Sequence, residues 1–455
     1  MTTVANPAVP STAACAECGR TTIAPELLHN LPGSRSHPGA KNQLFCPRCT
    51  AHRQYRNLVG FYAIIVPVII TLVLLALLST GTTDIARALR IFLIPFALLL
   101  LSAKLVMLVC HETAHALVGW AVGLRVFGVS LGSGPRIVHF CFRRFFLDLH
   151  WLPAGGACWT DRPSSTTPLR WALMVAAGPF VHLLGIVIPV LMNRSVDPAR
   201  WHEMPFSMAF FWINAYMLVV NFVPRTGQRG ASRIPTDGRR LCNILLRRKE
   251  SSQLPSSAFV MDIRLCLETA RFTEAARLLE QARPTASADA NFQITELGVL
   301  GVHGKWNEVR AKADQCRAVA TTPDVRAAFA TWAAVARVYD HADLSEAETL
   351  VNEAASVMPW SPAVQTAQAT VLLARGRDNE ARAALESAGS VDDGWAANAA
   401  RARAWEELWR RQDNPPRLRR WHARASALDP TGIFRIPSRA DGPAESNRSL
   451  QSTVH

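Results

Sequence analysis

The sequence predicts a mainly α fold in three parts. A four-span membrane helical core carries a small membrane-associated β region, α-helical repeats follow it, and a small cysteine-bearing module precedes it. Three observations predict this. The chain of 455 residues is 49% hydrophobic but only 18% charged, against roughly 25% charge in an average soluble protein. Its long uncharged stretches are confined to the first half. Its second half changes to Ala- and Leu-rich amphipathic helices that recur at a near-constant step. The length accommodates two or three domains, and the composition excludes disordered, collagen-like and small disulfide-scaffold classes.

The front module is read from Cys15-x-x-Cys18 and Cys46-x-x-Cys49. Two such pairs supply the tetrahedral thiolates of a structural Zn²⁺ site, here a zinc-ribbon-like domain over 1–52. A segment this small needs metal to hold a core. The six other cysteines are scattered singly, which is no secreted disulfide framework. The first fifteen residues have neither the charged nor the apolar region of a signal peptide.

The membrane core is read from four apolar stretches, about 58–78, 91–122, 171–192 and 206–223. A hydrocarbon layer about 30 Å thick takes roughly 20 helical residues. Net charge is +14, and its distribution sets the topology. Arg53 and Arg56 precede the first span, Arg125, Arg136, Arg143, Arg144 and Arg162 lie between the second and third, and Arg225, Arg229, Arg233, Arg239 and Arg240 follow the fourth. The alternate loops, 79–90 and 193–205, hold only two basic residues each. The positive-inside rule then makes this a multi-pass protein of the cell membrane with both termini cytoplasmic. Topology accounts for the charge, and no aromatic-and-basic motif argues for nucleic acid. Between spans two and three, 126–131, 137–142 and 145–149 read as short strands, and Pro153 to Ala157 as a turn.

The second span holds His111-Glu112-Thr113-Ala114-His115. Positions i and i+4 share a helix face, so both imidazoles can bind one Zn²⁺ with Glu112 beside it as general base. Bound zinc lowers the pKa of water to about 7, which suits attack on a peptide carbonyl. Two His and a Glu in apolar sequence are costly without a role. A catalytic zinc needs a third protein ligand. Asp237 is the candidate, although an Asp before Gly238-Arg239-Arg240 also suits a helix N-cap. Cys110 reads as a small buried residue.

These residues resemble the site-2 protease family of intramembrane zinc metalloproteases. His111, Glu112 and His115 resemble its HExxH. Ala177-Gly178-Pro179 is similar to its A-G-P motif, and Asn221, Pro224 and Asp237-Gly238 to its N-x-x-P…D-G element. Gly132-Ser133-Gly134-Pro135 and Gly155-Gly156 look like its glycine signatures. The resemblance covers about 90–245. It implies a zinc metalloendopeptidase that cleaves a membrane-spanning protein, such as a single-span regulator, within or near the bilayer. It further implies His111, His115 and Asp237 as zinc ligands, Glu112 as general base, and Asn221 as a holder of the substrate backbone or oxyanion. An exposed strand in 126–158 could take the substrate by strand addition. The chain departs from the family at two points. Twelve residues, Arg225 to Thr236, separate Pro224 from Asp237 where the family has a few, and they read as a loop. His182 stands where the family tends to have Asn, and reads as packed, as a substrate contact or as an extra metal neighbour.

Behind the core, Glu274-Ala275, Glu308-Val309, Glu346-Ala347 and Glu380-Ala381 recur at steps of 34, 38 and 34. This period resembles tetratricopeptide repeats over 256–430, with a fifth unit over 395–429. Such arrays bind proteins on a concave face, which here suggests a substrate or adaptor. Residues 431–455 are polar and aperiodic and read as a disordered tail. The rival to a protease is a catalytically inactive, protease-like membrane scaffold that binds proteins through its repeats, motivated by the long segment before Asp237.

Overall fold

The computed structural model describes residues 13–24, 27–31, 43–46, 48–50, parts of 52–63, 106–142, 145–161, 168–192, 205–224, 226–229, 232–246, 256–389 and 395–437. The chain forms two compact units, residues 51–261 and residues 1–50 together with 262–455. The cysteine module and the repeat region, separate in sequence, therefore share one unit.

In that unit the N-terminal segment forms two small antiparallel hairpins. The first pairs β1 (Ala13–Ala14) with β2 (Thr21–Thr22), the second β3 (His29–Leu31) with β4 (Gln43–Phe45). Between β1 and β2, Gly19 takes φ +70° and its N–H donates to the Cys15 carbonyl at 2.9 Å. This left-handed position, which glycine fills at no steric cost, folds the first cysteine pair into a knuckle.

In residues 51–261, the described parts of 52–63 are helical, and the next described element is helix α1 over 106–121. Its buried residues Met107, Leu108, His111, Glu112, His115 and Ala116 recur at the helical spacing, so one stripe carries both the packing and the motif. Leu108 and Ala116 pack on Val126, Val129 and Leu131 of the sheet that follows. The helix stops at Gly123 (φ +79°), where the Leu124 N–H reaches back to the Gly119 carbonyl, a Schellman ending.

Two long antiparallel strands follow, β5 (Val126–Phe142) and β6 (Phe145–Thr160). They replace the three short strands expected, and residues 153–157 lie within β6 instead of forming a separate turn. Both strands bend. Val129 to Leu131 is partnered by Gly156 to Cys158 on one side and by Leu147 to Leu149 on the other, and Val138 to Phe142 pairs back onto Phe145 to Leu149. Gly132 (φ +90°) sits at the bend, where a side chain would meet the Leu152 carbonyl at 2.5 Å.

Helix α2 (Pro168–Met192) turns Trp171, Met174, Val175, Gly178, His182, Gly185 and Pro189 inward, an i, i+3, i+4 stripe. Its other face exposes Leu173, Phe180, Leu184, Val187 and Leu191. Helix α3 (Pro205–Phe222) packs on it. Strands β7 (Thr226–Arg229) and β8 (Ser232–Pro235) form a hairpin leading into α4 (Asp237–Leu245), whose Ile244 packs with Trp171 and Met174. Of the four expected spans, the first beyond residue 63 and residues 91–105 of the second lie outside the described residues. Among the described helices, α2 alone has the length and composition to cross a membrane, with a shorter apolar helix over Phe210–Phe222. The four-span core is thus met only in part.

The larger unit continues with ten described helices, joined as five pairs: α5 (Ser256–Glu268) with α6 (Phe272–Ala286), α7 (Ala290–Val302) with α8 (Trp306–Val319), α9 (Pro323–Tyr339) with α10 (Leu344–Val357), α11 (Pro362–Ala374) with α12 (Asp378–Ala388), and α13 (Trp395–Arg411) with α14 (Pro415–Leu428). Each pair turns through a left-handed residue, in order Ala270, Gly304, His341, Gly376 and Asp413. In each turn the next N–H reaches five residues back, from Arg271, Lys305, Ala342, Arg377 and Asn414 to the carbonyls of Cys266, Leu300, Arg337, Leu372 and Trp409. The same Schellman ending is therefore built five times. The four marked glutamates sit in the first turns of α6, α8, α10 and α12, and Ala275, Val309, Ala347 and Ala381 after them are wholly buried.

The tail expected to be disordered is anchored at its start. Phe434 and Ile436 are buried, and Phe434 stands edge-on to Trp306, Tyr339 and Trp395. The Tyr339 hydroxyl donates to the Phe434 carbonyl at 2.9 Å. The buried Asp429 carboxylate accepts the N–H groups of Ile433 and Phe434 and the Arg403 guanidinium.

Candidate metal centre

Helix α1 presents His111 and His115 one turn apart, and α4 brings Asp237 to them. The His111 Nε2 lies 3.1 Å from the Asp237 Oδ2 and 3.1 Å from the His115 Nε2, and the third edge, His115 Nε2 to Asp237 Oδ2, is 3.4 Å. A tetrahedral ion with bonds of about 2.0–2.1 Å has ligand–ligand edges of about 3.3–3.4 Å. The triangle is the size that zinc requires.

The hydrogen bonds behind the imidazoles decide what points inward. The Asn214 amide donates to the Phe210 carbonyl at 2.8 Å, so its oxygen faces His182 Nδ1 at 3.0 Å and takes that proton. His182 Nε2 is then an acceptor and receives the Nδ1–H of His111 at 3.1 Å. His115 donates its own Nδ1–H to the Met174 carbonyl at 2.7 Å. Both Nε2 atoms are left as lone pairs aimed at each other and at a carboxylate oxygen. With the rings neutral, three acceptors face one another with no proton between them. This arrangement suits a cation, with both ligand tautomers fixed from behind.

Of the twelve residues before Asp237, 226–229 and 232–235 pair as a hairpin where a loop was expected. Thr226 pairs with Pro235, so the two ends of the insertion meet. Residues 225, 230 and 231 lie outside the described residues. The Thr236 hydroxyl donates to the Val223 carbonyl at 2.8 Å and accepts the Arg239 N–H, which makes Thr236 the N-cap of α4. This frees Asp237, in the first turn, for the imidazoles. Gly238 lies against the end of α3, where any side chain would collide with the Phe222 carbonyl. Burial opposes the charge of Asp237, but the imidazoles of His111 and His115 outweigh it and hold the carboxyl well below the usual carboxylate range.

The glycine motifs acquire physical reasons. A Cβ on Gly178 would lie 2.4 Å from His115 Nε2 and 2.6 Å from His111 Nε2. A Cβ on Gly156 of β6 would lie 2.4 Å from Glu112 Oε1, and one on Gly185 would lie 2.4 Å from the Asn214 amide carbon. Gly178 makes room for both imidazoles, Gly156 for Glu112 and Gly185 for Asn214. Glu112 is buried between α1 and this strand.

Asn221 lies half-buried in the last turn of α3, and its side chain joins none of these hydrogen bonds. His182 is wholly buried and hydrogen-bonded, the packed reading of the three left open. Cys110 points outward and is exposed, not buried, because it sits about 100° around the helix from His111. Asn214 was missed, although a lone amide in an apolar span is itself a signal. In the other unit, the sulfurs of Cys15, Cys18, Cys46 and Cys49 lie within 4.8 Å of one another. Cys18 and Cys46 are 3.9 Å apart, close to the roughly 3.8 Å edge of a zinc–thiolate tetrahedron. The Cys46 and Cys49 N–H groups donate to the sulfurs of Cys15 and Cys46.

No curated protein and no solved structure matches the chain. A family model does match. It takes in α1 with its two histidines, the β5–β6 sheet and all of α2, and it ends before Asn221 and Asp237. Residues 96–196 are similar to Peptidase family M50, the zinc-dependent, membrane-associated site-2 protease family, and this segment therefore implies a metallopeptidase of that kind.

Proposed function

We propose that the chain is an intramembrane zinc metalloendopeptidase that cleaves a membrane-spanning protein substrate within or near the bilayer. The observation that carries this is the convergence of two imidazole Nε2 atoms and one carboxylate oxygen on a zinc-sized triangle, with Glu112 adjacent in sequence and buried. His111, His115 and Asp237 hold the ion, which when bound supplies Lewis acidity. Glu112 takes a proton from the attacking water and passes it to the leaving amine. Asn221, from the end of α3, steadies the substrate backbone or the oxyanion. The outer segment of β6, 156–160, is paired on one side with 126–131. A substrate strand added to its other side would run past Gly156, and so past Glu112. The helix pairs recruit the substrate or an adaptor. The scaffold alternative rested on the long segment before Asp237, and the pairing of Thr226 with Pro235 weighs in favour of the peptidase reading.

The test is Glu112→Gln. Membrane proteins of cells carrying the wild-type or the variant chain are compared for new cleavage sites inside apolar spans. A fragment present only with wild type is expected. Identical fragments in both overturn the proposal.

A further inference from the structure

The N-terminal cysteine module is bound to the helix pairs, and it caps them. Helices leave their last carbonyls without partners inside the helix, and cations near a C-terminus are favoured by the helix dipole. At the end of α10, the Ser356 carbonyl accepts the Ile23 N–H at 3.1 Å and the Val357 carbonyl accepts the Thr22 hydroxyl at 2.7 Å. Two residues on, the Pro359 carbonyl accepts the Arg20 guanidinium at 2.9 Å. At the end of α12, Arg48 donates to the Ser387 carbonyl and Arg20 to the Ser387 hydroxyl. The donors come from both knuckles, since Arg20 follows Cys18 and Arg48 lies between Cys46 and Cys49.

The contact is apolar as well. Trp360, in the turn between α10 and α11, packs with Leu28, Phe45 and three of the four cysteines, Cys15, Cys46 and Cys49. Ala24 is buried in the core built by the helix pairs. So few residues lie between the two cysteine pairs and this surface that their geometry and the capping geometry are set together.

We propose that the face bearing Arg20, Thr22, Ile23 and Arg48 is a docking surface for the C-terminal ends of α10 and α12 of the same chain, and that metal held by Cys15, Cys18, Cys46 and Cys49 controls this cap. The two ends of the chain are thereby joined into one metal-dependent unit, and the repeats respond to zinc supply through the module. The inference is independent of the chemistry assigned to His111, His115 and Asp237.

Amide hydrogen exchange on the full-length protein tests it, read at residues 354–361 and 385–389. Cys46→Ser is expected to raise exchange there on the order of tenfold or more, the loss of about one charge-assisted hydrogen bond. His111→Ala, which disturbs only the other metal centre, is expected to leave those amides unchanged. Unchanged exchange in Cys46→Ser overturns the proposal, as does an equal rise in His111→Ala. If Cys46→Ser loosens all ten helices alike, the double variant Arg20→Ala/Arg48→Ala decides, because it keeps the four thiols. A rise confined to the two helix ends supports the cap, and no rise refutes it.

Discussion

The Nδ1–H of His111 donates to Nε2 of His182 across 3.1 Å, so the residue that departs from the family pattern holds the first imidazole of the candidate metal centre. The relay continues to Asn214, and Gly185 gives the amide its space. His182→Leu removes the acceptor and frees His111 to present a protonated Nε2. Zinc affinity at this centre is expected to fall roughly 10–100-fold, measured by chelator competition on the full-length protein. Asn214→Leu is expected to act in the same direction. An unchanged affinity in both variants contradicts the relay.

Gly178 and Gly156 guard different groups, and alanine at each separates the metal from the base. Gly178→Ala drives a methyl between the two Nε2 atoms and is expected to abolish zinc at this centre. Gly156→Ala pushes on the Glu112 carboxylate. It is expected to keep the zinc and to lose about 10²-fold or more in cleavage rate, the contribution of a general base. Metal analysis beside a cleavage assay reads both, and zinc loss in Gly156→Ala would count against the assignment.

The β7–β8 hairpin is a spacer whose ends already meet at Thr226 and Pro235. Replacing residues 227–234 by Asn-Gly, which favours a two-residue hairpin turn, is expected to leave Asp237 on the metal. Zinc content and rate should stay within about twofold of wild type. Loss of zinc in this shortened chain would mean that the hairpin aims Asp237 actively.

Three of the five helix-pair turns place Ala270, His341 and Asp413 in the left-handed conformation. Glycine there avoids a cost of roughly 1 kcal/mol per residue. Ala270→Gly is expected to raise the unfolding midpoint of its unit, and Gly304→Ala to lower it, by scanning calorimetry. The opposite order would show that these turns relax under substitution.

Much of the centre was legible because it is local. His111 and His115 share a face through the helical repeat alone, and Glu112 comes with them. The reach of Asp237 was not legible, since it depends on a strand pairing that closes twelve residues. Asn214 and His182 are single polar residues in apolar spans, and composition does not say which neighbour each one faces. The spacing of the helix pairs showed in the recurring glutamates, while their more regular feature, the left-handed turn, is filled by four residue types and hides in the sequence. The polar tail concealed two anchors, Phe434 and Ile436. The cap joins residues as far apart as Arg20 and Pro359, a separation beyond any local pattern.

Zinc per chain, counted in purified full-length protein and in Asp237→Ala, tests the metal centre most directly. Two ions are expected in the wild type and one in the variant, with the remaining ion held by the four thiols. Two ions retained in Asp237→Ala would remove the aspartate from the ligand set. A single ion in both proteins would leave the pair of histidines without metal and the peptidase reading without its basis.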